Sequence, residues 1–103
     1  MPQQYRPVGY ESLPIAATAV ALTGGVTSAL SFVGTLETAQ VRSRGDGTDP
    51  TSSEGEIINV FSKVVLSESE INNTKFIRTG ATSGVLKGHY YSVEATAFSG
   101  GGA

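Results

Sequence analysis

Residues that reverse or break a regular backbone recur along this chain roughly every eight to twelve positions, a spacing that admits short strands and leaves no room for long helices. Pro2, Pro7 and Pro14 punctuate the start, Gly24-Gly25 the first quarter, and Gly45, Asp46-Gly47 and Asp49-Pro50 the middle. Asn72-Asn73 and the stretch from Gly80 to Gly84 follow. The segments between them are rich in Val, Ile, Thr, Phe and Tyr, side chains that pack well on a pleated surface. The expected fold is all-β: an antiparallel β-sandwich or jelly roll of about eight short strands.

The opening segment, with three prolines around Tyr5, Val8 and Tyr10, cannot be helical, because proline removes a donor and biases its predecessor towards extended geometry. It reads as an extended N-terminal arm over residues 1–14, lying either on its own domain or on a neighbouring subunit. The β-sandwich domain is expected over 15–98, and a flexible Gly-rich tail over 99–103. Within the domain, strands are expected from Ala17 to Thr23, where the alanines leave a helical alternative open, and from Ser28 to Leu36. Glu37 to Ser43 alternates polar and apolar residues, the period-two mark of a half-buried strand. Residues 44–55 read as the longest loop, since nearly every residue in them favours turn geometry. Glu56–Val60, Lys63–Leu66 and Thr74–Thr79 read as further short strands, with a polar connection over Glu68–Asn73. Val85 to Phe98 supplies one long or two short aromatic-rich strands.

At 103 residues the chain holds one ordinary domain. It has no cysteine, so neither disulfides nor thiolate metal sites can staple it. A net charge of −2, with seven scattered basic residues, gives no electrostatic footprint for nucleic acid. The stretch between Glu11 and Glu37 is free of charge, but Pro14 and its glycines interrupt it, and no apolar run in it approaches a membrane span. The same stretch makes a poor secretion signal, because Glu11 precedes it and Arg6 is the only basic residue before it. Synthesis in a cytoplasm is the simplest expectation.

Reactive chemistry finds few candidates. His89 is the single histidine, so a base-activated nucleophile and a zinc site both lack partners. Asp46, Asp49, Glu54 and Glu56 could offer oxygens to calcium, but their spacing matches no EF-hand, and a solvated acidic loop is the simpler reading. The pairs Glu54/Glu56 and Glu68/Glu70 lie in polar connections with no apolar pocket to shift a carboxyl towards acid or base work. The glycines of the long loop lack the Lys-Ser/Thr ending of a phosphate-binding loop. No enzyme activity, cofactor or metal is expected.

The residues left over suit contact with another protein. Alternation places Arg42 and Arg44 on one face of a strand, within reach of Asp46, and Arg78 sits on a later strand. Arginine and tyrosine are enriched where proteins meet. The expected interface residues are therefore Tyr5, Arg6 and Tyr10 from the arm, with Arg42, Arg44, Asp46 and Arg78 as a network at or near the contact; the alternative for the network is an ordinary surface charge cluster.

Val41-Arg42-Ser43-Arg44-Gly45-Asp46-Gly47-Thr48-Asp49-Pro50-Thr51, followed by Lys75-Phe76-Ile77-Arg78 and Tyr90-Tyr91, resembles small β-rich proteins encoded among the structural genes of tailed bacteriophages. Gly45 stands where an acidic residue is expected in that pattern. In size and β character the chain is also similar to capsid cement, or decoration, proteins. That resemblance implies a jelly roll or related sandwich that binds the outer capsid surface, bridges major capsid protein subunits, and assembles as a homodimer or homotrimer. It implies a place on the virion, with neither nucleic acid nor membrane as partner. The alternative is a tail or head-fibre module that recognises host-surface glycans, with Tyr90, Tyr91 and Phe98 as a stacking platform.

Overall fold

The computed structural model describes residues 5–23 and 29–93. Among them lie eight strands and one short helix: β1 (Tyr5–Ile15), β2 (Val20–Ala21), β3 (Ser31–Glu37), β4 (Val41–Arg44), β5 (Glu56–Ile58), β6 (Lys63–Ser67), α1 (Glu68–Asn73), β7 (Lys75–Arg78) and β8 (Gly84–Val93). They form two four-stranded sheets, ordered β1-β8-β3-β6 and β2-β7-β4-β5, with every pairing antiparallel. The pairing follows a simple rule: β1 meets β8, β2 meets β7, β3 meets β6 and β4 meets β5. In addition β8 joins β3 and β7 joins β4, which completes the two sheets.

The inward faces of both sheets share one core. Leu13, Ile15, Phe32, Leu36, Leu66 and Leu86 enter it from the first sheet, and Val41 and Phe76 from the second. Each such side chain contributes about 1.5–3 kcal/mol by leaving water. The ring of Phe32 lies over paired Gly34 and Gly88. A Cβ at Gly88 would come within 2.7 Å of that ring, so the strands can carry a phenyl there only because both opposing positions lack side chains. Tyr90 meets Phe32 edge to face at 5.1 Å. Its buried hydroxyl donates to the Glu11 carboxylate, which also accepts from the Thr23 backbone N–H and hydroxyl.

Several expectations need correction. Residues 5–15, expected as an extended arm up to residue 14, are extended as their prolines demand and form an edge strand paired with β8. Glu37 to Ser43 is no single strand: Thr38 takes a left-handed backbone (φ 81°), Ala39 N–H donates to Glu37 O at 3.0 Å, and the chain crosses there from one sheet to the other. The alternating pattern belongs instead to β4, whose Val41 and Ser43 point inward. Between Ala17 and Thr23 only Val20 and Ala21 are strand. Glu68–Asn73 is helical, opened by a capping box in which Ser67 N–H donates to the Glu70 carboxylate at 2.8 Å, and Ile71 docks it on the core. The loop over 45–55 and the turn before β8 stand as expected. The Gly24-Gly25 turn, Phe98 and the tail lie outside the described residues.

Candidate functional site: a bare aromatic sheet face

The outer faces of the two sheets meet different fates. On the second sheet, Arg42 and Arg44 of β4 point outward, as alternation requires. Arg42 turns back on its own chain, donating from Nη1 to Gly55 O at 2.7 Å and from Nε to Ser52 O at 3.1 Å. Lys75 reaches Asp49 at 2.8 Å, and Pro50 is fully buried. These contacts draw the 45–55 loop over the sheet, where Thr51 and Ser52 lie beside Ile77. Gly55 closes the loop with φ 131°, in a place where a Cβ would press on Ser43 O at 2.9 Å.

Arg44 forms a two-pronged pair with Asp46, its shorter contact being 2.6 Å. That hydrogen-bonded pair, helped by the Thr48 backbone N–H, holds the Asp46 carboxyl at about 2, below its usual 3.8, and raises the Arg44 guanidinium above its own. Arg78 is not part of this group. It pairs in register with inward-facing Val41, on the opposite side of the sheet from Arg42 and Arg44, and its guanidinium donates to Ser83 Oγ at 3.3 Å. The expected network of Arg42, Arg44, Asp46 and Arg78 therefore divides into a loop clasp, a turn-locking ion pair and a separate edge contact.

On the first sheet nothing comparable covers the outer face among the described residues. The register sets Tyr10, His89, Val33 and Val65 in one row across all four strands. Tyr10 is 57% exposed and Val65 64%. The Tyr10 and His89 rings lie 5.1 Å apart, and His89 lies 6.4 Å from Tyr91, which stands one row further along with Pro7 and Ser31 beside it. The next row in the other direction is polar, with Ser12, Lys87, Thr35 and Lys63 in register.

A β-bulge decides the membership of this patch. Tyr5 and Tyr10 are five positions apart, which in an unbroken strand would set them on opposite faces. The register shift between Pro7 and Gly9 inserts one residue, so Tyr5, opposite Val93, and Tyr10, opposite His89, both face outward. Arg6, opposite Ser92, points to the other side of the ribbon. Two of the three expected arm contacts thus share one surface with Tyr91 and His89. His89 and Val65 were invisible as candidates in sequence, because their neighbours come from cross-strand register. Tyr90, expected on a stacking platform, is 2% exposed and belongs to the core.

A second exposed feature sits at the end of the sandwich. Phe61, in the connection from β5 to β6, is 78% exposed and holds a left-handed backbone (φ 69°), a conformation that costs a non-glycine residue about 1–2 kcal/mol. Its N–H donates to Leu36 O at 2.6 Å, which fixes it there.

Among the described residues no three His, Asp or Glu side chains gather as metal ligands. Of the acidic loop residues, Asp46 and Asp49 are taken by Arg44 and Lys75. No helix there is long and apolar enough to cross a membrane. The chain matches no family model, no curated protein and no solved structure.

Proposed function

We propose that this chain is a capsid cement, or decoration, protein of a tailed bacteriophage: a jelly roll that binds the outer surface of the head and ties neighbouring major capsid protein subunits together. The strand order β1-β8-β3-β6 over β2-β7-β4-β5 supports the fold part of the reading, since a jelly roll is an eight-stranded double ribbon wound into two sheets. The observation that carries the binding part is the outward row of Tyr10, His89, Val33 and Val65, with Tyr5 and Tyr91 beside it, on a sheet face that no loop of the described chain covers. Tyrosines on a regular sheet offer large, stiff contact area at low ordering cost, and the polar row of Ser12, Lys87, Thr35 and Lys63 supplies a rim. On a symmetric shell, many copies of a modest contact add up to a large gain in shell strength.

The glycan-binding reading, expected on Tyr90, Tyr91 and Phe98, keeps only Tyr91 on this face, since Tyr90 is core and Phe98 lies outside the described residues. It ranks second because the Tyr10, His89 and Tyr91 rings are inclined to each other by 63° and 57°, and so present no common plane to a sugar. Sedimentation of purified protein with intact heads tests both. The expected result is co-sedimentation in stoichiometric amount, insensitive to added sugars and lost in the Tyr10→Ala, Tyr91→Ala double variant while that variant still unfolds cooperatively. Unchanged retention of the variant, or release by a soluble glycan, overturns the proposal.

A further inference from the structure

The aspartates of this chain, Asp46 and Asp49, both lie on the 45–55 loop, and the residues that follow them differ in one chemical respect. Asp46 precedes Gly47, whose backbone N–H can act as a nucleophile, whereas Asp49 precedes Pro50, whose ring nitrogen has no hydrogen to lose. The Asp46 side chain is exposed, and Gly47 is open where a side chain would stand, since a Cβ there would meet nothing within 4 Å. A side chain at that position would hinder attack by its nitrogen on the preceding carboxyl; glycine leaves the approach clear. The reaction so permitted is ring closure. The Gly47 nitrogen bonds to Asp46 Cγ, the carboxyl's hydroxyl leaves with the amide proton as water, and a cyclic imide forms. Solvent water then adds to one of its two carbonyls. Opening at Cγ returns aspartate, while opening at the Asp46 backbone carbonyl breaks that carbon's bond to the Gly47 nitrogen and routes the main chain through the side chain, as isoaspartate.

We propose that Asp46 is a site of spontaneous isomerisation to isoaspartate, and that Arg44 is the positioning residue that holds the reaction back. Ring closure needs a neutral carboxyl, because a carboxylate is a poor electrophile and its oxygen cannot depart as water. It also needs Cγ turned onto the Gly47 nitrogen. The structure opposes both requirements. Arg44 donates to the two carboxylate oxygens, from Nε at 3.2 Å and from Nη2 at 2.6 Å, which favours the charged form. Oδ1 also accepts from the Thr48 backbone N–H at 3.2 Å, so the carboxylate is fixed from two sides. Its titration near 2 instead of 3.8 agrees: at mildly acid pH, where an ordinary aspartate is partly protonated, Asp46 stays charged. In the product the main chain is one carbon longer and the carboxylate sits directly on Cα, one bond short of the fork with Arg44.

Ageing of the purified full chain at about pH 5 tests the inference apart from any particle, with isoaspartate located by peptide mapping and counted by enzymatic methylation. Arg44→Ala should form isoaspartate at Asp46 at least about tenfold faster than the parent, and Asp49 should stay unmodified in both. Arg42→Ala controls for simple loosening, because it frees the same loop and leaves the Arg44–Asp46 fork in place; its rate should stay near the parent's. Followed by carbon NMR, the Asp46 carboxyl should titrate higher, towards 3.8, in Arg44→Ala and not in Arg42→Ala. No gain in rate in Arg44→Ala, an equal gain in Arg42→Ala, or modification of Asp49 as fast as that of Asp46 overturns the inference.

Discussion

The two outer sheet faces start from similar ingredients and end differently. Both carry long side chains in alternation along antiparallel strands, yet one is roofed by its own chain, and among the described residues no loop covers the other. The difference lies in where a loop returns. Arg42 has two backbone carbonyls of the 45–55 loop within reach and donates to both, whereas the rings of Tyr10, His89 and Tyr91 lie against one another. Arginine is a common anchor at protein contacts, but Arg42 has two of its five donors committed to its own loop. Of the residues expected at an interface, Arg42, Arg44 and Asp46 are thus engaged within their own chain, whereas Tyr5 and Tyr10 stand exposed on the other sheet.

The sharpest way to break that comparison is Arg42→Ala. Of the two hydrogen bonds only that to Gly55 O is part-buried, and one bond from a charged donor contributes about 1.5–3 kcal/mol, so this variant should lose about 2 kcal/mol of unfolding free energy in chemical denaturation. Head binding by the folded fraction should persist; the opposite pattern, lost binding with unchanged stability, would return Arg42 to the interface. Val65→Glu probes the bare face in the reverse sense. The side chain is 64% exposed, so stability should shift by no more than about 0.5 kcal/mol while head binding falls about tenfold in a sedimentation assay.

Smaller effects follow from the ion pairs that finish the roof. Lys75→Ala removes the exposed contact to Asp49 and should cost below about 1 kcal/mol, an amount that shrinks further in high salt. The Arg44–Asp46 pair should appear mainly as pH dependence. The Asp46 carboxyl is depressed on folding to about 2, so its contribution is complete above its unfolded value near 3.8 and disappears as pH falls towards 2. Asp46→Asn should flatten the stability profile over that window, with its small cost present at neutral pH and vanishing as pH falls to about 2; a profile identical to the parent's would mean the pair adds nothing.

Much of this was legible from local pattern, and the failures have local causes. The 45–55 loop was readable because nearly every residue in it favours a turn, and the faces of β4 because period two fixes which side Arg42 and Arg44 occupy. The helix at Glu68–Asn73 was missed although Ser67-Glu68-Ser69-Glu70 spells a capping box; the short polar run drew attention to Asn72-Asn73 as a turn. Glu37 to Ser43 misled because alternation continued across Thr38, and no pattern marks a threonine that must turn left-handed to change sheets. Tyr90 and Tyr91 are adjacent and identical in composition, and only a strand with two different faces separates a core ring from a surface one.

The sequence by itself determined that the chain is all-β, where the 45–55 loop lies, and that it carries one histidine and no cysteine, because composition and two-residue periodicity act over a few neighbours. Only the tertiary structure decided that Arg42 faces its own loop, that Arg78 lies across the sheet from Arg44, and that Tyr5, Tyr10 and Tyr91 share a surface. Those outcomes depend on register, on one inserted residue between Pro7 and Gly9, and on which strand lies beside which. Hydrogen bonding between distant strands sets these quantities, and nothing local in the chain encodes them.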